Sequence, residues 1–199
     1  SIVQSKCIPE VMVLPLENLG SINLQSYDVV AVGPGLGRTD EAKVLVNSLL
    51  ERQSGHMVID ADGLYALGTI GHVYAHGDKT ITYEGNMQFK NCIMTPHLGE
   101  FSRLIDTSIN FIEKHYVELA IQFAVAHNVV LVLKGIPSLV AFPTGEVYIN
   151  MIGNPGMGTG GMGDSLTGII AAFVAQGYSL QSAALLGVYV HSRSADILA

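Results

Sequence analysis

The chain is punctuated by short, largely apolar runs that each stop at glycine or a polar residue, with amphipathic stretches between them. Residues 28–32 (DVVAV) run into Gly33-Pro34-Gly35-Leu36-Gly37. Residues 56–59 run into Asp60-Ala61-Asp62-Gly63, 92–95 into Pro96-His97, and 129–133 into Lys134-Gly135. A strand covered on both faces reads as a continuous apolar run, because neither face meets water. The intervening segments have helical spacing. Thr39 or Asp40 can cap a helix to about residue 53 with Ala42, Leu45, Val46, Leu49 and Leu50 on one face. Asn110 can cap another to about residue 127. This alternation predicts an α/β fold of three layers, a mostly parallel central sheet with helices on both faces. A hairpin over 138–142 and 146–150, turning at Pro143-Thr144-Gly145, adds antiparallel strands. Helices are expected over 165–176, stopped by Gly177, and from 179 to the end, while 68–91 reads as loop with short strands.

The 199 residues suit one domain with a sizeable core. Net charge is −7 and the basic residues are few and scattered, which argues against a nucleic-acid partner or an anionic membrane surface. No apolar run reaches the length of a membrane span. Cys7 and Cys92 have neither a C-x-x-C partner nor a His at metal spacing, so they read as reduced thiols in a cytoplasmic setting.

The chemistry concentrates in Asn154-Pro155-Gly156-Met157-Gly158-Thr159-Gly160-Gly161-Met162-Gly163-Asp164. Its five glycines leave backbone N–H groups unobstructed, and the helix that follows adds a positive dipole end. That is a phosphate or anion hole, and Asp164 sets a carboxylate at its mouth. A carboxylate beside bound phosphate is unfavourable unless it works, and taking a proton from a reacting hydroxyl is the obvious work. Two overlapping G-x-G-x-x-G matches start at Gly156 and Gly158, but they lie late in the chain and not in a first βαβ unit. Nothing matches a P-loop. Ligands of open parallel sheets bind at the carboxyl ends of the strands. Gly35, Gly37, Asp60, Asp62, Thr95, His97, Lys134 and the glycine loop should therefore share one rim.

These residues resemble the ribokinase-like superfamily, and within it the NAD(P)H-hydrate dehydratase family. The motifs are Pro9-Glu10-Val11-Met12, Val32-Gly33-Pro34-Gly35-Leu36-Gly37, Ile59-Asp60-Ala61-Asp62-Gly63-Leu64, Thr95-Pro96-His97-Leu98-Gly99-Glu100-Phe101, Leu133-Lys134-Gly135 and the stretch from Asn154 to Asp164. They follow the family's order over nearly the whole chain. The family's opening βα segment has no counterpart, so residues 1–199 are expected to form one ribokinase-like domain without it. The resemblance implies nucleotide-dependent dehydration of hydrated NADH or NADPH. ADP or ATP with Mg²⁺ phosphorylates the ring hydroxyl, and phosphate leaves. It implies Asp164 as catalytic acid/base and substrate contact, with Gly35, Gly37 and His97 against the hydrated dinucleotide. It places nucleotide at Lys134, Gly135, Ile136, Pro137, Ser138, Gly160, Gly161 and Gly163. It assigns no protein metal ligands and implies a homo-oligomer, a tetramer.

Each role has a plainer counterpart. Asp164 could cap a helix, His97 could cap or fill core, and Lys134 could be solvated. Gly35 and Gly37 could serve turn chemistry alone. Glu100 could reach a metal-bound water or sit as a first-turn acid. Asp60 and Asp62 could orient the rim or form an Asx turn, and Asn154 could anchor the glycine loop or make an Asn-Pro turn. Two other functions stay open: a small-molecule kinase of the same fold acting on a vitamin precursor or sugar alcohol, and a non-catalytic nucleotide-binding module.

Overall fold

The computed structural model describes Met12 and residues 22–52, 55–76, 80–85 and 87–198. Cys7 and all of the Pro9–Met12 motif but Met12 lie outside the described residues. In chain order the elements are β1 (Val29–Val32), α1 (Asp40–Arg52), β2 (His56–Ile59), α2 (Ala61–Leu67), β3 (Gly71–His76), β4 (Thr80–Gly85), β5 (Cys92–Met94), α3 (Leu98–Leu104), α4 (Ile109–Lys114), α5 (Tyr116–His127), β6 (Val130–Leu133), β7 (Ser138–Ala141), β8 (Val147–Asn150), α6 (Met162–Ala175) and α7 (Leu180–Leu198).

The main sheet runs β1-β2-β5-β6-β7-β8. Its first four strands are parallel, and β7 and β8 join as the expected antiparallel hairpin. Alternate residues of each strand feed opposite faces. Met57, Ile59, Met94, Leu131 and Leu133 point into a core shared with Val46, Leu49, Leu119 and Phe123 of α1 and α5. Val58, Ile93, Val130, Val132 and Val140 point into a second core with Leu166, Ile170, Ala183 and Val188 of α6 and α7. The three layers expected of a ribokinase-like fold are thus present, and the strands are apolar on both sides because both sides are covered.

Element ends differ from expectation in three informative places. The expected helix from Asn110 to 127 is two helices. Ser108, not Asn110, caps α4 by accepting the Phe111 N–H. The chain leaves helical geometry at His115 (φ −124°, ψ 29°), whose ring stacks on Phe111 at 4.5 Å. The glycine loop gives way to helix at Met162, not Ser165, so Asp164 lies inside the first turn of α6. Two short helices, α2 and α3, follow the strand-end motifs directly, where too few residues repeat to show a period.

Residues 71–76 and 80–85 form a two-stranded antiparallel sheet, β3 with β4. Its inward residues Ile81 and Tyr83 pack on α5, with Tyr83 and Phe123 ring centroids 5.7 Å apart. Beneath it His127 is fully buried. Its Nδ1 lies 2.6 Å from the Met87 carbonyl oxygen and its Nε2 2.5 Å from the Tyr83 hydroxyl. A carbonyl only accepts, so Nδ1 carries a proton, and in the neutral ring Nε2 then accepts from the Tyr83 hydroxyl. Burial favours the neutral imidazole and pulls the His127 pKa below its usual value, while the Met87 contact opposes the shift. The unfolded chain therefore takes up a proton near pH 6.5 that the folded chain refuses. Stability should be flat above that pH and fall below it, by at most about 1.4 kcal/mol per pH unit for one histidine. Urea midpoints at pH 7.5, 6.5, 5.5 and 5.0 should show this decline, and a profile that stays level or rises from 6.5 to 5.0 would contradict the neutral assignment.

Candidate active site

The parallel strands end on one edge, and the polar residues following them meet there. The β5–β6 ladder continues past its strands: His97 pairs with Lys134, and the Lys134 N–H donates to Pro96 O at 2.8 Å. Lys134 is thereby aimed across the sheet at Asp60, which follows β2. Its Nζ lies 2.6 Å from Asp60 Oδ1. Asp60 Oδ2 accepts from Thr167 Oγ1 of α6 at 2.7 Å. Asp60 is 1% exposed, so its charge has left water and both oxygens are satisfied by protein. Glu100 Oε2 completes the group at 3.9 Å from Lys134 Nζ.

Above this pair sits the start of α6. A Cβ on Gly163 would lie 3.2 Å from Lys134 Nζ and 3.8 Å from Asp60 Oδ2. The helix N-cap is Gly161 at φ 90°, which offers no side-chain cap. Among the described residues, the amides of Gly160, Gly161, Gly163 and Asp164 have no backbone or side-chain acceptor. Asp164 is exposed at the third helical position, and its carboxylate has no hydrogen-bond partner there. It is not the capping residue. The arrangement is a set of free amides above the Lys134–Asp60 pair with a free carboxylate in the same helical turn, a geometry that can receive an anion and a proton.

The loop is held from α7. Asp196 accepts from Gly153 N–H and from Asn154 Nδ2, each at 3.1 Å. Asn154 Oδ1 in turn accepts from Gly156 N–H at 3.0 Å, so Asn154 both anchors the loop and shapes its turn. Between loop, β7 and α7 lies a cleft of about 280 Å³. Lys134, Gly135, Ile136, Ser138 and Gly163 line it, together with Met157, Leu166, Val188 and His191. Its lining combines the Lys134 ammonium with the apolar Ile136, Met157, Leu166 and Val188, which suits a flat base carrying phosphates. Pro137, Gly160, Gly161 and Asp164 do not line this cleft. Pro137 serves from behind: its carbonyl and that of Leu133 both accept from the Tyr116 hydroxyl at 3.2 Å, fixing the 133–137 turn. Burial pushes the Tyr116 pKa up to about 12, so it remains a donor at neutral pH. His191 is buried against the start of α6, where burial pulls its pKa down against a backbone contact to Met162.

The other half of the rim is built around Asp62. Asp60 and Asp62 do not form a pair. Asp60 turns into the sheet, while Asp62 turns to the β1–α1 loop. It accepts Gly37 N–H at 3.0 Å and Arg38 Nε at 2.9 Å. The Arg38 hydrogen bond holds the Asp62 pKa low, with Gly37 and the charge of Arg103 helping against burial. Gly35 and Gly37 take φ 71° and 86°, values that favour glycine, so their turn role is present whatever else they do. His97 caps α3. Its Nδ1 accepts from Gly99 and Glu100 N–H, and Glu100 returns a bond to His97 N–H at 2.9 Å. The outer edge of the His97 ring stays exposed. Glu100 therefore acts as the second member of a capping box.

Thr167, His191, Asp196 and Arg38 escaped the sequence reading. Thr167 could have been noticed as a lone hydroxyl one turn beyond Asp164 on an apolar helix face. The others carry no local signal, because their partners are distant in sequence.

The pattern of the NAD(P)H-hydrate dehydratase family matches residues 1–199. The chain is 42% identical over 175 residues to the bifunctional NAD(P)H-hydrate repair enzyme Nnr of Moorella thermoacetica, covering 87% of this chain and 31% of that protein. It is 34% identical over 194 residues to the ADP-dependent (S)-NAD(P)H-hydrate dehydratase of Neisseria meningitidis serogroup B, covering 96% of this chain and 61% of that one. Among solved structures, the ADP/ATP-dependent NAD(P)H-hydrate dehydratase of Bacillus subtilis, co-crystallised with ATP/Mg²⁺, superimposes with a TM-score of 0.70. It is 29% identical, and the match covers 85% of this chain and 55% of that one.

Removing one partner from a buried charge pair strands the other. Asp60→Ala should therefore lower unfolding free energy by about 3–5 kcal/mol, whereas Thr167→Val, which deletes one bond to a charged oxygen, should cost about 1.5–3 kcal/mol. Denaturant titration measures both, and equal small losses would show that the Lys134–Asp60 pair is not a structural linchpin.

Proposed function

This chain belongs to the NAD(P)H-hydrate dehydratase family, and from that premise we propose that it restores hydrated NADH and NADPH using ADP or ATP. The chain spans about a third of the bifunctional relative's length and about three fifths of the dehydratase's, so the activity is inferred from the site. The observation that carries it is the uncapped start of α6: free amides of Gly160, Gly161 and Gly163, with the unpartnered Asp164 carboxylate beside them.

The transferred phosphoryl group sits in that hole, with the nucleotide's remaining phosphates toward Lys134 and its base in the apolar part of the cleft over Ile136 and Val188. Gly135, Pro137 and Ser138 shape the turn beneath it. The dinucleotide approaches from the other half of the rim, across Gly35, Gly37 and the exposed edge of His97. Asp164 takes the proton of the ring hydroxyl as its oxygen bonds to phosphorus and the nucleotide departs. Hydroxide is a poor leaving group and phosphate a good one. The lone pair of the ring nitrogen expels phosphate, and loss of a proton from the neighbouring carbon restores the reduced ring. The free amides stabilise charge that grows on the transferring group.

Mg²⁺ fits this site as a companion of the nucleotide. Among the described residues no cluster of three acidic, His or Cys side chains could cage it, and Mg²⁺ favours one or two carboxylates plus substrate phosphates. Asp164 and Glu100 are the carboxylates that would face it, and it would supply neutralisation of phosphate charge. A kinase of the same fold would use Asp164 and the loop alike. What favours the dehydratase is the naming of the relatives together with the 33–37 and 95–101 motifs at the second half of the rim. We also assign the chain one ribokinase-like domain, a cytoplasmic setting and a homo-oligomer, tetrameric as the resemblance implies. Among the described residues no helix is long and apolar enough to cross a membrane.

Two variants probe the site. With the full-length protein, NADH hydrate, Mg²⁺ and either ADP or ATP, reduced-nicotinamide absorbance should recover with release of phosphate. Asp164→Asn should lower turnover by about 10²–10⁴-fold or more while nucleotide still binds by calorimetry. Near-normal turnover would remove Asp164 from the mechanism. Stable phosphorylation of a vitamin alcohol by the native protein, with no recovery of the hydrate, would turn the assignment to a kinase. Gly161→Val places a β-branched residue at φ 90° and should abolish nucleotide binding more than it lowers stability. Unchanged affinity would mean that the loop is not the phosphate cradle.

A further inference from the structure

Beside the dinucleotide half of the rim lies a cationic cluster that the chemistry above does not use. Arg38 follows Gly37 and spends only its Nε, on Asp62. Its Nη groups have no acceptor among the described residues, and its side chain is 61% exposed. The guanidinium carbon stands 4.8 Å from the Tyr65 ring centroid. Arg103 of α3 stands over the same ring at 4.7 Å. Its Nε and Nη2 are buried and have no hydrogen-bond partner. Two guanidiniums thus share one carboxylate and one ring, leaving one positive charge in excess at a point where the protein as a whole is acidic.

A surface ion pair alone would not need this construction. Asp62 and the Tyr65 face fix the plane of Arg38, while the two Nη groups are left pointing at no protein acceptor. A fork held in that way matches the oxygens of a phosphate, which guanidinium binds by two parallel bonds. Arg103 backs it with a charge that Asp62 does not fully cancel. The position also suits a ligand. Tyr65 lies on α2 and Arg103 at the far end of α3, both helices that start at the rim at Asp60 and His97 and run away from it. Arg103 is six residues along from His97, roughly 9 Å down the axis. A dinucleotide whose nicotinamide sits at the rim must carry its phosphates away from the reacting ring, down such a side.

We propose that Arg38, oriented by Asp62 and Tyr65 and backed by Arg103, forms a phosphate-recognition site for the dinucleotide substrate. The proposal rests on the dehydratase reading given above. The phosphate is either the pyrophosphate that both cofactors carry or the 2′-phosphate that only NADPH carries, and the two sources separate in the test.

Arg38→Gln, Arg38→Lys and, as a surface control, Lys43→Gln are compared in the full-length protein. Steady-state kinetics are measured with NADH hydrate and NADPH hydrate, and calorimetry with NADH and NADPH as non-reacting probes. Arg38→Gln should raise the dinucleotide KM and Kd by about 10- to 100-fold, with the KM for ADP or ATP held. Arg38→Lys should recover only part of this, because it restores charge without the fork. A rise for both cofactors identifies the pyrophosphate, and a rise for NADPH forms alone identifies the 2′-phosphate. Dinucleotide KM and Kd equal to those of Lys43→Gln would overturn the site while leaving the dehydratase reading intact. Arg38-dependent NADPH binding by a protein that does not turn over the hydrate would keep the site and overturn that reading instead.

Discussion

A lysine at the end of β6 and an aspartate at the end of β2, 74 residues apart, meet at 2.6 Å beneath a glycine of α6. Both charges have been drawn largely out of water, so neither tolerates loss of the other. Asp60 also accepts from Thr167, which fastens α6 to the sheet edge. The glycine loop and its anion hole are therefore set relative to the strands by one ionic contact and one hydroxyl. Because Lys134 is committed to Asp60, it presents charge to the cleft from a fixed point and does not sweep it as a free lysine would.

The close packing that allows this contact is carried by glycines that cannot be replaced. A Cβ on Gly33, at φ 133°, would stand 1.7 Å from Asp60 O, and one on Gly63 would stand 2.8 Å from Val32 O. The backbone after β1 and the first turn of α2 touch directly, close to where Asp60 bonds Lys134 and Asp62 bonds Arg38. Across the molecule a Cβ on Gly187 would stand 2.5 Å from Ile170 Cγ1, so the bare glycine lets the Ile170 side chain of α6 pack directly on α7. That packing brings His191 and Asp196 up to the loop that α7 steadies.

The rim has two halves of different character. The half at Lys134 and the start of α6 gathers free amides, a lysine and an apolar cleft. The half at Gly35, Gly37, Asp62 and His97 is a network of capping and turn bonds with one exposed arginine. Asp164 lies on the first of these, in the opening turn of α6, where its carboxylate meets solvent and no protein donor. The proposed phosphoryl transfer followed by elimination asks for such a division, since one ligand must give phosphate and the other must receive it at a common edge.

Much of this was legible from the chain alone. The apolar strands, the hairpin and the order of layers follow from local periodicity, because burial on both faces imprints itself on consecutive residues. The glycine loop, Lys134, His97, Asp60 and Asp62 stood out because strand ends are where an open parallel sheet exposes polar groups. The break at His115 and the short helices α2 and α3 were not legible, being set by packing and capping over too few residues to show a period. Nor could sequence show that Asp60 and Asp62, two positions apart, face opposite partners, or that Thr167, Asp196 and Arg38 belong to the rim. Local sequence thus determined the strands and the longer helices, since their periodicity depends on neighbours within a turn or a strand. The tertiary structure alone decided which charges are paired and which stay free, since that depends on side chains brought together from far along the chain.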